Sequence, residues 1–437
     1  MTSYLLERAL LAGAAHDNVL VDVVDGRFAS VEVGVLASAA ERVPGLTLPG
    51  LANTHSHAFH RALRGRTQRG RGTFWTWREQ MYAVAERLDP DTYLALATAT
   101  FREMVAAGIT SVGEFHYLHH QPDGRPYDDP NAMGIALLEA ASVAGLRITL
   151  LDTVYLSSGF GAPPEGAQRR YDDGSVQDWI ERIAALPSTE SALVSGALHS
   201  VRALPEAPAA ALDPLAEWAH GRPLHVHLSE QVAENDGCLA AYGASPTRLL
   251  ADHGVLGPLT SAVHATHLSD DDISLLGEAR AFVSFCPTTE RDLGDGVGPS
   301  RRLAEAGARL TLGSDSHAVV DLFEEMRAVE LDERLVTQQR GHWQAAELVR
   351  AATVSGHASL GWHDAGEIAV GRRADLVTID TVSTRTAGTG ADEHTAVFAA
   401  VAEDVTRTMV DGRIVFRQGE REEIGRALAQ AIGKVHT

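Results

Sequence analysis

The chain has 437 residues and a formal net charge of −21, which results from 37 basic and 58 acidic residues. Hydrophobic residues make up 45% of the chain and charged residues 22%, a composition that excludes a disordered protein and is typical of a folded globular one. The acidic balance argues against nucleic acid or an anionic membrane as a main partner, so an anionic substrate would have to be held by local arginines.

The two ends of the chain share a β-rich pattern. Residues 4–46 and 366–418 are rich in β-branched residues and contain the turn signals Asp25-Gly26 and Asp411-Gly412, which are typical of β-hairpins. We therefore predict that both ends form one small, β-sandwich-like domain with a C-terminal helix. The predicted domains are residues 1–46 together with 366–437 for the small domain, and residues 47–365 for the larger one.

Between residues 46 and 318, short apolar runs alternate with helix-like stretches, which is the pattern of repeated β/α units around a parallel sheet. The eight runs are, in chain order, LTLPGLANTHSH, ITSVGEFHYLHH, RITLLDTVYL, ALVSGALHSV, RPLHVHLSE, SAVHATHL, AFVSFCP and RLTLGSDSH. Ser175 and Ser245 are predicted helix starts. Eight units in series favour an α/β fold with a closed (β/α)8 barrel of the TIM type. An open doubly wound sheet is the competing layout.

The cysteine and lysine content narrows the chemistry. Cys238 and Cys286 lie far apart and form no CxxC motif, so we expect no disulfide framework and a reducing, cytoplasmic location. Glu7 lies within the short apolar run of the N-terminus, which therefore does not resemble a secretory signal. No stretch is long and apolar enough to cross a bilayer. Lys434 is the single lysine, which excludes a catalytic or metal-bridging lysine from the body of the chain.

Histidines gather where the predicted strands end. His55 and His57 lie two apart at the end of the first barrel strand, so both imidazoles point to the same side of the sheet. His227 closes the fifth strand and Asp315 ends the eighth. In a β/α barrel the carboxyl ends of the strands form the active face, so these side chains should meet there. An HxH pair alone is common by chance, but three imidazoles and one carboxylate form a good ligand set for a divalent ion such as zinc.

Further residues are predicted to move protons. Glu230 lies three residues after His227, just past the strand end, where a carboxylate can carry a proton between a metal-activated water and a leaving group. The alternative is a surface carboxylate that opens a helix. His264, on the sixth strand, is either a further ligand or a hydrogen-bond partner of the attacking water, and His267 is its rival. Asp315 and His264 are expected to accept or orient the proton of that water.

The motifs THSH, HVHLSE, VHATHL and GSDSH, in this order, resemble the amidohydrolase superfamily, in its branch of mononuclear zinc deaminases, over essentially the whole chain. The flanking β segments, including GEIAVGRRADLV, are similar to the small composite domain of that family. In two-metal members a modified lysine of the fourth strand bridges the ions. This chain has His199 there and no lysine to offer, so the resemblance implies a single metal ion.

The segments FWTWREQMY, GEFHYLHHQPDG, ALHSVRAL and FCPTTERDLGDG resemble, more specifically, the formimidoylglutamate deiminase family. This resemblance implies a homodimer that hydrolyses N-formimino-L-glutamate to N-formyl-L-glutamate and ammonia in histidine degradation. It also implies that Arg78 and Arg202 hold the substrate's carboxylates and that Tyr117 and His199 donate hydrogen bonds. His60 stands where family members carry glutamine; we expect it to contact a carboxylate and to titrate around neutrality.

Two other functions are compatible with parts of this pattern. A deaminase of an aromatic ring, such as guanine, a pterin or an adenosine derivative, would share the metal ligands and Glu230, but would present stacking and amide groups instead of two arginines. A metal-binding scaffold or regulatory protein would need neither Glu230 and His264 nor the arginines. We therefore expect a small dicarboxylate amidine as substrate, and neither nucleic acid nor a membrane as partner.

Overall fold

Two sheets organise the structure, a computed structural model that describes residues 1–36, 39–69 and 74–436. Within these residues the strands are β1 (Thr2–Leu11), β2 (Ala14–Val24), β3 (Arg27–Glu32), β4 (Glu41–Pro49), β5 (Leu51–Ser56), β6 (Ile109–His116), β7 (Arg147–Val154), β8 (Ala192–Leu198), β9 (Leu224–Leu228), β10 (Thr260–His264), β11 (Phe282–Phe285), β12 (Arg309–Leu312), β13 (Leu376–Ile379), β14 (Val405–Val410) and β15 (Arg413–Arg417). The α-helices are α1 (Phe74–Ala85), α2 (Pro90–Ala106), α3 (Ala132–Ala144), α4 (Val176–Ile183), α5 (Ala209–Ala219), α6 (Val232–Tyr242), α7 (Pro246–Asp252), α8 (Asp270–Glu278), α9 (Pro287–Leu293), α10 (Ser300–Ala306), α11 (Leu322–Thr337), α12 (Ala345–Arg350), α13 (Gly356–Ser359), α14 (Glu393–Phe398) and α15 (Arg421–His436).

The larger sheet is the predicted barrel. Its eight strands follow one another from β5 to β12, and all neighbours pair in parallel. Each predicted run contains one of these strands, although the first run also contains the end of β4. The strands β5, β6 and β7 are buried along their whole length, as expected for parallel strands covered by helices. The predicted TIM-type barrel is confirmed.

Hydrogen bonds join the first and the last strand of the barrel, β5 and β12. Ser56, the last residue of β5, forms a parallel bridge with Asp315, beyond the end of β12. The Asn53 side-chain amide donates to Ser314 Oγ at 2.7 Å, and the Ser314 backbone N–H donates to Asn53 Oδ1 at 2.9 Å. The barrel is therefore nearly closed, and the contact lies at the end where the predicted metal ligands are.

The smaller sheet forms the flanking β domain. Its seven strands have the order β15-β14-β13-β4-β1-β2-β3, and the sheet is mixed because β1 and β4 pair in parallel. Among the described residues the domain is one sheet rather than two stacked sheets. Asp25-Gly26 joins β2 to β3 and Asp411-Gly412 joins β14 to β15, with positive φ at all four residues, as two-residue type I′ turns require. The predicted boundary between residues 46 and 47 lies within β4.

The C-terminal helix α15 packs on the barrel. Its buried side chains Ile424, Leu428 and Val435 belong to the same hydrophobic core as the barrel strands and helices. His436 Nε2 donates to the Ala62 carbonyl at 2.9 Å. The helix that we predicted within the small domain therefore covers part of the barrel's outer layer.

The structure also bears on the cysteines and on membranes. Cys238 and Cys286 are both buried and free, as expected from the lack of a CxxC motif. In the parts of the chain that the structure describes, we find no helix with the length and apolar character of a membrane span.

Candidate active site

The predicted ligands and His264 lie together at the carboxyl ends of the barrel strands. His55 is in β5, His57 directly follows that strand, and His227 is in β9. His264 is the last residue of β10, and Asp315 lies three residues after β12. The φ angle is 68° at His264 and 37° at Asp315, in the left-handed region that non-glycine residues rarely adopt. Such strained positions cluster at functional sites.

Four side chains converge to a candidate metal site. Ligand atoms of His55, His57, His227 and Asp315 all lie within 4.8 Å of one another, and all four residues are buried. Asp315 Oδ1 is 3.2 Å from His55 Nε2 and 3.4 Å from His57 Nε2. The Nε2 atoms of His55 and His227 are 3.1 Å apart. The structure thus brings together the four predicted ligands.

The hydrogen bonds of two imidazoles fit a bound cation. His57 Nδ1 donates to the Phe115 carbonyl at 2.9 Å, and His227 Nδ1 donates to the His199 carbonyl at 2.7 Å. A neutral imidazole that donates through Nδ1 has its lone pair on Nε2, which here is the atom that faces the other ligands. Burial and the neighbouring His55 lower the pKa of His57 to about 3, so its imidazole stays neutral. These nitrogen lone pairs and the adjacent carboxylate suit a divalent metal ion.

A buried carboxyl group holds the turn that carries His57. Glu114 Oε2 accepts from Ser56 Oγ and Glu114 Oε1 accepts from the Ala58 backbone N–H, both at 2.6 Å. Burial raises the pKa of Glu114 to about 8. Because its two partners flank His57, Glu114 holds the backbone on both sides of that ligand. Nothing in the sequence around Glu114 indicated this contact.

His264 lies among three carboxyl groups. Its Nε2 is 3.9 Å from Glu230 Oε1 and 3.8 Å from Asp315 Oδ2, and its Nδ1 is 3.3 Å from Glu290 Oε1. Burial alone would lower the pKa of His264, but Glu230, Glu290 and Asp315 together raise it to about 10. The three residues predicted to move protons are therefore neighbours. The rival His267 donates to a main-chain carbonyl instead.

One cavity opens onto this cluster and contains the predicted substrate residues as well. His57, His227 and Asp315 line it, and so do Glu230 and His264. The predicted substrate-binding residues that also line it are His60, Arg78, Tyr117, His199 and Arg202. The structure therefore places every predicted catalytic and substrate-binding residue around the same cavity.

His60 is held by Tyr117. Its Nε2 lies 3.0 Å from the Tyr117 hydroxyl, and its side chain is buried. Burial, together with the nearby His57, keeps the pKa of His60 well below its usual range. The expectation that His60 titrates around neutrality is therefore wrong, because burial inside the cavity disfavours the charged imidazole.

The two predicted arginines act on the same part of the cavity wall. The guanidinium carbon of Arg78 is 5.5 Å from the centre of the Tyr82 ring. Arg202 Nη2 lies 3.8 Å from Glu230 Oε2, and Arg202 Nε lies 3.7 Å from Glu234 Oε2. Burial raises the pKa of Tyr82, and both guanidinium groups oppose that rise. Both guanidinium groups therefore place positive charge near Tyr82, on one side of the cavity.

Several groups that complete the site were not predicted from the sequence. Glu290 contacts one predicted proton-transfer residue, and Glu234 contacts one predicted arginine. Tyr82, Tyr155 and Tyr171 also line the cavity. Glu290 follows the seventh barrel strand in the segment CPTTE, so its place near a strand end was a usable signal. The tyrosines come from helices and loops, whose approach to the cavity no short pattern predicts.

Comparison with known proteins identifies the family. Residues 46–415 match the model of the Amidohydrolase family. The formimidoylglutamate deiminase of Pseudomonas aeruginosa is 35% identical over 454 aligned residues, which cover 100% of both chains. A 5′-deoxyadenosine deaminase of Methanothermobacter thermautotrophicus is 28% identical over 94% of this chain and 91% of its own. Among solved structures, an amidohydrolase from Brucella melitensis is 32% identical and superposes with a TM-score of 0.90 over 100% of both chains.

The family match and the site agree with each other. The family model spans most of the chain, and the first relative covers all of it. Both named relatives are enzymes that act on carbon–nitrogen bonds, and the buried His/His/His/Asp set of this chain supports a divalent metal ion. The chain therefore belongs to the amidohydrolase family, as a hydrolase of carbon–nitrogen bonds.

Proposed function

We propose that the protein is a deiminase that hydrolyses N-formimino-L-glutamate to N-formyl-L-glutamate and ammonia, a step of histidine degradation. The observation that carries the proposal is the charge arrangement of the cavity. Glu230 and Asp315 lie in the part of the cavity that contains the candidate metal site. Arg78 and Arg202 add positive charge to the adjoining wall, where Arg202 Nη2 lies 3.8 Å from Glu230 Oε2. The similarity to the P. aeruginosa formimidoylglutamate deiminase supports the same assignment.

Both ends of this substrate match the cavity in charge. The formimino group is a planar amidine that is cationic near neutral pH, so carboxylates can pair with its nitrogens. The glutamate part carries two carboxylates, which a chain of net charge −21 can hold only through local cations. Arginine suits that role because its planar guanidinium binds a carboxylate through two parallel hydrogen bonds. We assign the role to Arg78 and Arg202, with His60, Tyr117 and His199 as neutral hydrogen-bond partners.

The residues around the four candidate ligands have different roles in proton transfer. Zinc, held by the four ligands, would supply the Lewis acidity that makes water nucleophilic near neutral pH. Asp315 accepts the proton of the attacking water. His264 lies 3.8 Å from Asp315 and stays protonated near neutral pH, because its pKa is raised to about 10, so it orients the water as a hydrogen-bond donor. Burial raises the pKa of Glu230, which allows this carboxyl group to hold a proton and deliver it to the departing nitrogen, so that ammonia leaves.

A deaminase of an aromatic ring is the second candidate, and the cavity wall gives a specific reason for it. Trp77, Tyr82, Tyr155 and Tyr171 all line the cavity, and aromatic side chains suit the stacking of a purine ring. One of the relatives is named as a 5′-deoxyadenosine deaminase. A neutral ring, however, offers no negative charge to the two guanidinium groups.

A substrate panel separates the two candidates. Zinc-loaded protein is mixed in turn with N-formimino-L-glutamate, formamidine, guanine and 5′-deoxyadenosine, and ammonia release is measured. Formamidine contains the reacting group without the glutamate tail, so it is the matched control for the arginines. We expect N-formimino-L-glutamate to exceed formamidine in kcat/KM by roughly 10²- to 10⁴-fold, since each carboxylate gains charge-assisted hydrogen bonds. Turnover of a ring substrate alone would refute the proposal.

A further inference from the structure

Arg170 is a buried cation with no ion pair among the described residues. It lies in the 3-10 helix Gly166–Tyr171 and is fully buried. Its guanidinium donates to three main-chain carbonyls: Nε to His120 at 3.0 Å, Nη2 to Leu88 at 3.0 Å, and Nη1 to Ala85. A charge buried away from water is costly unless it is hydrogen-bonded. Three carbonyl partners at one guanidinium therefore point to a specific role.

One of these carbonyls belongs to the end of α1 and a second lies just beyond it. Ala85 is its last residue, and Leu88 lies in the turn that leads to α2. The Ala85 carbonyl also accepts a hydrogen bond from the Leu88 backbone N–H at 3.2 Å. The carbonyls at the C-terminal end of a helix carry partial negative charge, which a guanidinium with several N–H groups can stabilise. The last turn of α1 has no basic side chain of its own. Arg170 supplies the cation from a segment 85 residues away from Ala85 along the chain.

The helix α1 carries part of the cavity wall. Trp77, Arg78, Met81 and Tyr82 all line the cavity, at spacings that bring them to one face of the helix. Tyr171, the residue after Arg170, lines the same cavity, and its ring centre is 6.3 Å from that of Tyr82. The guanidinium at the end of α1 and the ring that contacts α1 therefore come from adjacent residues.

The main chain of Arg170 is bound to the barrel at the same time. Its carbonyl oxygen accepts hydrogen bonds from the backbone N–H groups of His119 and His120, each at 3.0 Å. These two residues lie shortly after β6, the strand that leads to Tyr117. Arg170 thus connects the end of α1 to the carboxyl end of a barrel strand.

We propose that Arg170 is a positioning residue that holds α1 over the mouth of the barrel and thereby sets the places of Arg78 and Tyr82 beside the glutamate tail of the substrate. The inference rests on the proposed function, because it assigns the tail to this part of the cavity. The formimino group would meet Glu230 and Asp315, which follow the barrel strands β9 and β12 and are not part of α1. Loss of Arg170 should therefore impair binding of the tail and spare the chemistry at the metal end.

The test compares substrates with and without the tail. Zinc-loaded full-length Arg170→Met, Arg170→Lys and Arg169→Met are assayed with N-formimino-L-glutamate and with formamidine, and hydrogen exchange of residues 74–88 is followed by mass spectrometry. Arg169 is the exposed neighbour, so its variant controls for the same change of charge. Arg170→Lys retains the charge and guards against a variant that fails to fold, but one ammonium group cannot reproduce the fork that reaches three carbonyls.

We expect Arg170→Met to raise KM for N-formimino-L-glutamate about 10- to 100-fold through misplacement of Arg78, while kcat for formamidine stays within about twofold of wild type. Hydrogen exchange in residues 74–88 of Arg170→Met should become faster. Arg170→Lys should have KM and exchange rates between those of Arg170→Met and the wild type. Arg169→Met should match the wild type in both measurements. Equal losses for both substrates, or wild-type KM and exchange in both Arg170 variants, would overturn the inference. If the wild type does not hydrolyse N-formimino-L-glutamate, the proposed function fails, whereas the exchange data still decide whether Arg170 holds α1.

Discussion

At the scale of single residues, the environment of Glu230 prepares it for proton transfer. Burial is the largest influence and raises the pKa of Glu230; the positive charges of His264 and Arg202 oppose that rise, and Asp315 adds to it. The carboxyl group therefore holds a proton at a higher pH than an exposed glutamate does. A general acid works best when its pKa lies near the working pH. Desolvation next to charged neighbours therefore supports the role that we propose for Glu230 as the proton donor.

Glu230→Gln should lower kcat by roughly 10²- to 10⁴-fold, because glutamine cannot deliver a proton. The metal should remain bound, since Glu230 is not among the four converging ligands. Ammonia release and metal content per chain provide the two measurements. Asp236→Asn removes a carboxylate from an exposed position of α6 and serves as the control. A Glu230→Gln enzyme with nearly wild-type turnover would show that another group carries the proton.

At the scale of elements, the approach of β12 to β5 determines where the ligands meet. Gly313 directly follows β12, and a Cβ atom there would lie 2.7 Å from His55 Cβ and 2.9 Å from both the His55 carbonyl oxygen and Cys286 Sγ. These distances are shorter than non-bonded contacts allow. The absence of a side chain at Gly313 therefore permits the residues that follow β12 to pack directly against β5, the strand that carries His55.

Gly313→Ala should push β5 and β12 apart at the metal end and cost about 1–3 kcal/mol through overpacking. His55 belongs to β5 and Asp315 follows β12, so a wider gap between these strands moves the two ligands apart. The variant should therefore bind zinc more weakly than the wild type, as measured by competition with a chelator. Gly433→Ala is the matched control, since a Cβ atom at that position in α15 meets no atom beyond its own stretch of helix within 4 Å. Equal zinc affinity in both variants would contradict the role of the close approach.

At the scale of the whole molecule, a buried ion pair joins the barrel to the flanking sheet. Arg147, the first residue of β7, donates from Nη1 to Asp375 Oδ2 and from Nη2 to Asp411 Oδ1, both at 2.7 Å. Arg147 is fully buried, and Asp375 is almost so. Burial opposes the ionisation of Asp375, but Arg147 outweighs burial and lowers the pKa of that carboxyl group. The joint between the two sheets is therefore ionic and buried.

Asp375→Asn should destabilise the protein by about 1–3 kcal/mol near neutral pH, because the buried Arg147 loses its bidentate partner and keeps only the ion pair with Asp411. A lowered folded-state pKa contributes stability above the unfolded pKa of about 4, and this contribution is lost as the pH falls through the folded value. The variant should therefore lose less stability than the wild type on acidification below about pH 4. Urea unfolding at several pH values measures both effects.

Asp17→Asn is the control for this prediction, since it breaks an ion pair with Arg8 in which the Asp17 side chain is 67% exposed. Removal of such a surface pair should change stability by about 1 kcal/mol or less. If Asp375→Asn lost as much stability as the wild type on acidification, the buried ion pair would not contribute to the acid sensitivity of the protein.

Much of the fold and of the metal site could be predicted because the relevant signals are local. Eight apolar runs correspond to the eight barrel strands, and Ser175 and Ser245 both accept the hydrogen bond that starts a helix. The turns Asp25-Gly26 and Asp411-Gly412 form where their residue types allow positive φ. Once the runs are read as a barrel, residues at the strand ends must share one face. The sequence by itself therefore determined the barrel and the four side chains that converge at its strand ends, but not the single-sheet form of the small domain.

Only the tertiary structure decided what depends on partners far apart in the chain. The neutral state of His60 follows from burial, and the placement of Glu290 beside His264 follows from the packing of α9 against the barrel end. The bond from Arg170 to the end of α1 spans 85 residues. Periodicity and turn chemistry act over a few residues, whereas desolvation, hydrogen bonding and charge act through space between segments that only the folded chain brings together.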